Sequence, residues 1–130
     1  MTDRELYEIA VSMLPRAYAP FSKYQVGAAL LTKEGKLYTG VNVENSSFGG
    51  TICAERTAFV KAVSEGDKEF EKIAIVGGKD KLVKTTPCGI CRQFISMHCP
   101  NIQVIYLDNE ENICKANINE LLPQAFEEEF

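Results

Sequence analysis

No stretch of these 130 residues is apolar for long enough to cross a membrane. Nor is there a basic excess: 14 Lys and Arg stand against 18 Asp and Glu, a formal charge of −4. Nucleic-acid binders usually carry a basic stripe, so no nucleic acid is expected as a partner. No linker, internal repeat or low-complexity tract divides the chain, which reads as a single domain over residues 1–130. The opening Met1-Thr2-Asp3-Arg4-Glu5 is charged and helical in character, unlike a secretory signal. Five cysteines without an export signal are expected to be reduced thiols in the cytoplasm, where clustered cysteines bind metal more often than they pair. A chain of this length buries a core, but a small one, which is consistent with an oligomer.

What is present begins with periodicity. Thr2-Asp3-Arg4-Glu5 fits a capping box. Leu6, Ile9, Ala10 and Met13 follow at helical spacing, and Pro15 is expected to end that helix near Met13 or Leu14. Residues 17–24 read as an extended, aromatic-rich loop. Residues 26–32 and 37–43 read as two strands of a hairpin around a glycine-containing turn. Residues 44–52 are a polar loop. Residues 53–65 are a helix with Ala58, Phe59, Ala62 and Val63 on its apolar side and Gly66 as its stop. A buried strand over 73–76 follows. Pro87 is expected as the first residue of a helix that carries Phe94 and Ile95 and ends at Pro100. Strands over 103–107 and 113–116 precede a weak helix over 119–126, interrupted by Pro123. The order α-β-β-α-β-α-β-β-α implies an α/β fold, a three-layer α/β/α domain with a mixed five-stranded sheet.

The chemistry concentrates in two places, Cys53-Ala54-Glu55 and Pro87-Cys88-Gly89-Ile90-Cys91. Cys88 and Cys91 are three apart, so both sulfurs share one helix face and can reach one metal. Cys53 must come from a second helix start packed beside the first. Glu55 restricts the geometry further. Positions two apart point roughly 200° from each other in mid-helix. Cys53 is therefore expected at the very N-terminus, reaching over the helix end, with Glu55 in the first turn. Three protein ligands leave a fourth tetrahedral position for water, and a carboxylate beside that water can move its protons.

Charge sharpens this expectation. One zinc with three thiolates is formally −1, which weakens its ability to acidify water. Two helix N-termini with free N–H groups would offset that charge. Arg56 is adjacent by sequence and can hydrogen-bond a thiolate, and Arg92 and Gln93 are further donors beside the second ligand pair.

Each part has a plainer alternative. A lone Cys-x-x-Cys is often structural zinc, and Cys-Ala-Glu alone signifies almost nothing. Their combination at separate helix starts is the specific signal. Cys99 and Cys114 read as small apolar residues. His98, the single histidine, falls on the face of Cys91 but about 10 Å further along the helix. It is expected to be a satisfied, partly buried side chain rather than a fourth ligand.

A ligand-x-Glu followed by Pro-Cys-x-x-Cys is the pattern of zinc-dependent base deaminases, which have a three-cysteine form. Over nearly its whole length the chain resembles the small, homotetrameric cytidine deaminases. The resemblance is carried by Ala17-Tyr18-Ala19-Pro20-Phe21-Ser22-Lys23, Val26-Gly27-Ala28-Ala29-Leu30, Gly40-Val41-Asn42-Val43-Glu44-Asn45, Cys53-Ala54-Glu55-Arg56-Thr57-Ala58, Pro87 to Gln93 and Glu120-Leu121-Leu122-Pro123. It implies Cys53, Cys88 and Cys91 as ligands of one Zn2+ per chain, and Glu55 as the proton shuttle. It implies Asn42 and Glu44 on the ribose hydroxyl, for which an amide and a carboxylate are suited. It places Tyr24 and Ala54 near the base, and Phe126 across a subunit boundary in a neighbouring site. Without it, Asn42 and Glu44 would read as a polar strand end, and Tyr24 and Phe126 as core or surface aromatics. Two departures stand out. Phe48 occupies a position that is Tyr in many members, and residues 48–52 are richer in glycine than the family pattern.

The resemblance implies hydrolytic deamination of cytidine and deoxycytidine, small nucleoside substrates, in cytoplasmic pyrimidine salvage. A deaminase of a cytosine-nucleoside antibiotic is the alternative. Asn42 and Glu44 argue for the plain nucleoside. A polynucleotide deaminase would need the basic surface this composition lacks, and a structural-zinc protein would leave Glu55 unexplained.

Overall fold

The computed structural model describes residues 1–127. The order is α1 (Asp3–Ser12), β1 (Gln25–Thr32), β2 (Leu37–Val41), α2 (Ala54–Ser64), β3 (Phe70–Gly78), α3 (Gly89–His98), β4 (Gln103–Leu107), β5 (Ile113–Asn117) and α4 (Ile118–Leu121). Short 3-10 turns lie at Leu14–Arg16 and Phe48–Gly50. The strands form one mixed sheet in the order β2-β1-β3-β4-β5, parallel at β3–β4 and antiparallel elsewhere. The parallel pair needs a crossover, and α3 supplies it.

The alternation of side chains along β1 divides the core into two faces. Ala28 and Leu30 join Ile73, Ile75 and Val104 beneath Ala58, Phe59 and Ala62 of α2 and Ile95 of α3. Ala29 and Leu31 join Ala74, Val76 and Ile105 beneath Leu6, Tyr7 and Ala10 of α1. Helices on both faces of the sheet give the expected three layers. The central strands are buried on both sides, which explains the unbroken apolar runs of β1 and β3.

Helix ends follow from local chemistry. Thr2 Oγ1 accepts from the Glu5 amide at 3.1 Å, and Pro15 lies in the 3-10 turn that follows α1. Gly66, at φ +98°, terminates α2 in a conformation that residues with a Cβ rarely adopt.

Four element boundaries and the burial of one residue differ from expectation. Strand β2 stops at Val41, and Val43 instead forms isolated bridges with Tyr18 and Ile52. Strand β3 begins at Phe70 and ends at Gly78, longer on both sides than 73–76: Phe70 is itself a core residue, and Gly77 and Gly78 pair with Val26 and Gln25 of β1. Val63 is 38% exposed, one 100° step around α2 from the fully buried Ala62. Pro87 precedes the α3 cap instead of opening the helix, with Cys88 capping and Gly89 first. The last helix is only Ile118–Leu121, opened by a capping box from Asn117 and Glu120. Leu122 precedes Pro123 and takes φ −138°, ψ 76°, outside the helical region that a following proline disfavours.

Candidate metal centre

The two cysteine motifs meet at two helix starts. Cys53 is the N-cap of α2 and Cys88 the N-cap of α3, both in extended backbone conformation. Neither side chain makes a capping hydrogen bond, so neither sulfur is committed to its own helix. Cys91 follows in the first turn of α3 and is fully buried. The three Sγ atoms all lie within 4.8 Å of one another. Cys53 and Cys88 are 3.7 Å apart, and Cys88 and Cys91 3.4 Å. Tetrahedral zinc with Zn–S bonds of about 2.3 Å would hold its sulfurs about 3.8 Å apart. Free thiols at this spacing, beside two helix N-termini, fit one zinc ion.

Local bonds tie the first turn of α2 to the residues around it. The Thr57 hydroxyl donates to the carbonyls of Val41 (3.1 Å) and Cys53 (3.2 Å), tying the ligand turn to the end of β2. Arg56 Nη2 donates to Thr51 O at 3.0 Å and lies 3.6 Å from Cys53 Sγ, the donor to sulfur expected from sequence. Its Nε is buried without a partner among the described residues. Interaction with the Cys91 thiol, then Arg56 and Cys88, pulls the Cys53 thiol down to about 5. The same cluster pushes Cys91 up, first through Cys53 and then through burial. Arg56 thus faces the thiol of the cluster that is most readily ionised.

Glu55, the second residue of α2, is 3% exposed. Burial, and secondarily the Cys53 charge, pushes its carboxyl up to about 7. A group that can hold or release a proton near neutrality suits proton transfer. A cleft of about 390 Å³ opens beside it, with Tyr24, Asn42, Ala54, Cys53 and Cys88 also on its wall.

The remaining expected residues are placed as follows. Asn42 is 7% exposed, accepts from the Val26 amide at 2.9 Å and donates to Tyr24 O at 2.8 Å. It lines the cleft and also pins the start of β1. Glu44 accepts from the amides of Phe21 (3.0 Å) and Ser22 (3.1 Å) and from the Ser22 hydroxyl. That hydroxyl, then the two amides, holds its carboxyl below the usual range. The Tyr24 hydroxyl meets Thr85 Oγ1 at 2.5 Å. Gln93 does not reach the sulfurs: its Nε2 donates to Phe126 O at 3.0 Å. Arg92 likewise turns away, toward Pro87, Thr86 and Leu121. Phe126 is 66% exposed and borders a separate groove of about 560 Å³ with Met97 and Leu122, so it does not meet the cysteines of its own chain. Phe48 is exposed and edge-on to Phe21 at 6.2 Å. His98 is more exposed than expected, its ring 4.6 Å from that of Phe94, and is not in the cluster. Sequence reasoning missed Lys84, Thr85 and Thr86 on the cleft wall, because that loop carries no recognisable pattern.

Residues 1–107 match the model of the cytidine and deoxycytidylate deaminase zinc-binding region. The chain belongs to this family. The matched region includes Cys53, Glu55, Cys88 and Cys91. A probable cytidine deaminase of Dictyostelium discoideum is 48% identical over 114 residues, 87% of this chain and 76% of that protein. A cytidine deaminase of Halalkalibacterium halodurans is 45% identical over 126 residues, 95% of this chain and 94% of its own. A blasticidin-S deaminase of Bacillus cereus is more distant, 35% identical over 130 residues, covering 95% of this chain and 91% of that protein. The solved cytidine deaminase of Burkholderia pseudomallei superposes with a TM-score of 0.88 at 40% identity, covering 97% of this chain and all of that one. The deaminase fold and three cysteines that could hold one metal ion are therefore found together in this chain.

Proposed function

We propose that this deaminase converts cytidine and 2′-deoxycytidine, with water, to uridine and 2′-deoxyuridine, releasing ammonia. The observation that carries the proposal is a buried carboxyl, Glu55, beside three converging thiols, with Glu55, Cys53 and Cys88 on the wall of a nucleoside-sized cleft. Cys53, Cys88 and Cys91 would hold one zinc ion. When bound, zinc supplies Lewis acidity that lowers the pKa of water at its remaining position.

Glu55 accepts a proton from the attacking water and delivers it to ring nitrogen N3. It then takes the remaining proton from the hydroxyl added at C4 and passes it to the amine, which leaves as ammonia as the C4 carbonyl forms. A carboxyl can serve in both directions because it alternates between its charged and neutral forms. Arg56 offsets the negative charge of the sulfurs from the side of Cys53. Asn42 and Glu44 serve the sugar: after its two backbone bonds, the Asn42 amide retains one donor and one acceptor position. Tyr24 and Ala54 border the base. Phe126, exposed on its own chain, encloses a neighbouring site in a homotetramer. The setting is cytoplasmic pyrimidine salvage, without membrane or nucleic-acid partners. Among the described residues no helix is long and apolar enough to cross a membrane.

The test is loss of cytidine absorbance on mixing with protein whose zinc content has been measured. Turnover with one zinc per chain is expected. Zinc-loaded protein that leaves cytidine intact but deaminates blasticidin S would overturn the proposal in favour of an antibiotic substrate.

A further inference from the structure

We propose that Arg92 is a positioning residue that clamps the Cys88 turn to the carboxy-terminal segment, so that ligand geometry and tail docking are coupled. The segment before Cys88 needs such support. Residues 84–88 belong to no helix or strand, and Cys88 has no side-chain capping bond. Arg92 lies one turn into α3 and reaches back across this segment. Its Nε donates to Pro87 O at 2.7 Å and its Nη2 to Thr86 Oγ1 at 3.1 Å. Its Nη1 donates to Leu121 O at 2.7 Å, the last carbonyl of α4. Among the described residues, Arg92 is the one hydrogen-bond partner of the Pro87 carbonyl and of the Thr86 hydroxyl.

The planar guanidinium explains why arginine stands here. Three acceptors arriving from two chain segments match a rigid fork, and a lysine ammonium cannot reproduce that arrangement. The next residue extends the clamp, since Gln93 Nε2 holds Phe126 O at 3.0 Å. Two adjacent side chains of α3 therefore bind residues 121–126, while one of them also binds the turn that presents Cys88. The part of this inference that concerns nucleoside binding by Phe126 rests on the proposed function. The part that concerns zinc does not.

The experiment compares full-length, zinc-loaded Arg92→Gln, Arg92→Lys and Gln93→Ala with the parent. Zinc release to a chromogenic chelator and hydrogen exchange over residues 118–122 are measured on each. Arg92→Gln is expected to release zinc about tenfold faster and to lose exchange protection in α4, with Arg92→Lys in between. Gln93→Ala is expected to leave zinc release unchanged and to raise KM for cytidine about threefold or more at similar kcat. A Leu6→Val variant, in the opposite core layer, serves as a control for general destabilisation and should not speed zinc release. Zinc release from Arg92→Gln within about twofold of the parent, or matched by Leu6→Val, would overturn the proposal. If cytidine proves not to be a substrate, the zinc and exchange measurements still decide it.

Discussion

Gly40 of β2 lies directly beneath the first turn of α2: a Cβ on it would stand 2.3 Å from Ala54 O and 2.6 Å from Ala58 N. Both contacts are helix backbone, which cannot yield by changing rotamer. Cys53 and Glu55 flank Ala54, so the absence of a side chain at Gly40 sets how closely the metal-bearing turn approaches the sheet. Gly40→Ala is expected to push α2 outward, costing about 1–3 kcal/mol as an overpacked contact. Zinc affinity should fall with it. Thermal unfolding and zinc titration check this, and normal zinc binding with normal stability would contradict it.

Asn42 links the sugar-binding expectation to the fold. Its amide satisfies the Val26 N–H and the Tyr24 carbonyl, and the side chain is almost wholly buried. Asn42→Ala removes both partners and should cost about 2–4 kcal/mol, the sum of two unsatisfied or rehydrated backbone groups. Asn42→Asp can still accept from Val26 but cannot donate to Tyr24, so an intermediate loss is expected. Urea unfolding measures both. A stability unchanged by Asn42→Ala would assign the residue to substrate alone.

Much of this arrangement was legible because each signal was local. Proline and glycine marked helix ends, apolar periodicity marked the buried faces, and the Cys53–Glu55 spacing required a cap followed by a first turn. The positions of Arg92 and Gln93 were not legible. Their partners, Thr86, Leu121 and Phe126, are distant or adjacent in ways that sequence spacing does not encode. Proximity to Cys91 suggested sulfur contacts, whereas the side chains point along the helix toward the tail. The weak last helix failed for a similar reason. Its composition suits a helix, but Pro123 removes Leu122 from helical backbone and leaves one turn.

Arg56 brings a full positive charge to the cluster, with Nη2 shared between Thr51 O and Cys53 Sγ. Arg56→Gln keeps a donor but removes the charge, and should lower zinc affinity about 10- to 100-fold, as losses of groups supporting metal ligands do. Arg56→Lys should retain more affinity than Gln while losing the Thr51 contact. Competition with a zinc chelator gives the order. Equal affinities for parent and Gln variants would show that the helix ends alone offset the sulfur charge.

Glu55 permits a test that separates its electrostatics from its catalysis. In the metal-free chain burial raises its carboxyl from 4.5 to about 7, so the folded state favours the neutral form. That contribution to stability is fully present below about 4.5 and is lost as pH rises through about 7. Cys53 runs in the opposite sense: its thiol is lowered from 9 to about 5, so its contribution is present above 9 and is lost as pH falls through about 5. The parent profile mixes these slopes, and the difference between parent and Glu55→Gln reports the carboxyl together with its coupling to the Cys53 charge. Glutamine mimics the neutral acid, so the metal-free variant should match the parent near pH 4.5 and exceed it by about 3 kcal/mol at pH 8. The zinc-loaded variant should retain its metal and lose turnover by roughly 10²- to 10⁴-fold, the usual contribution of a general acid–base group. Denaturant unfolding across pH and single-turnover deamination measure the two effects on one protein. A variant no more stable than the parent at pH 8 would mean that Glu55 is hydrated in solution. A variant that still turned over at the parental rate would remove it from the proton path.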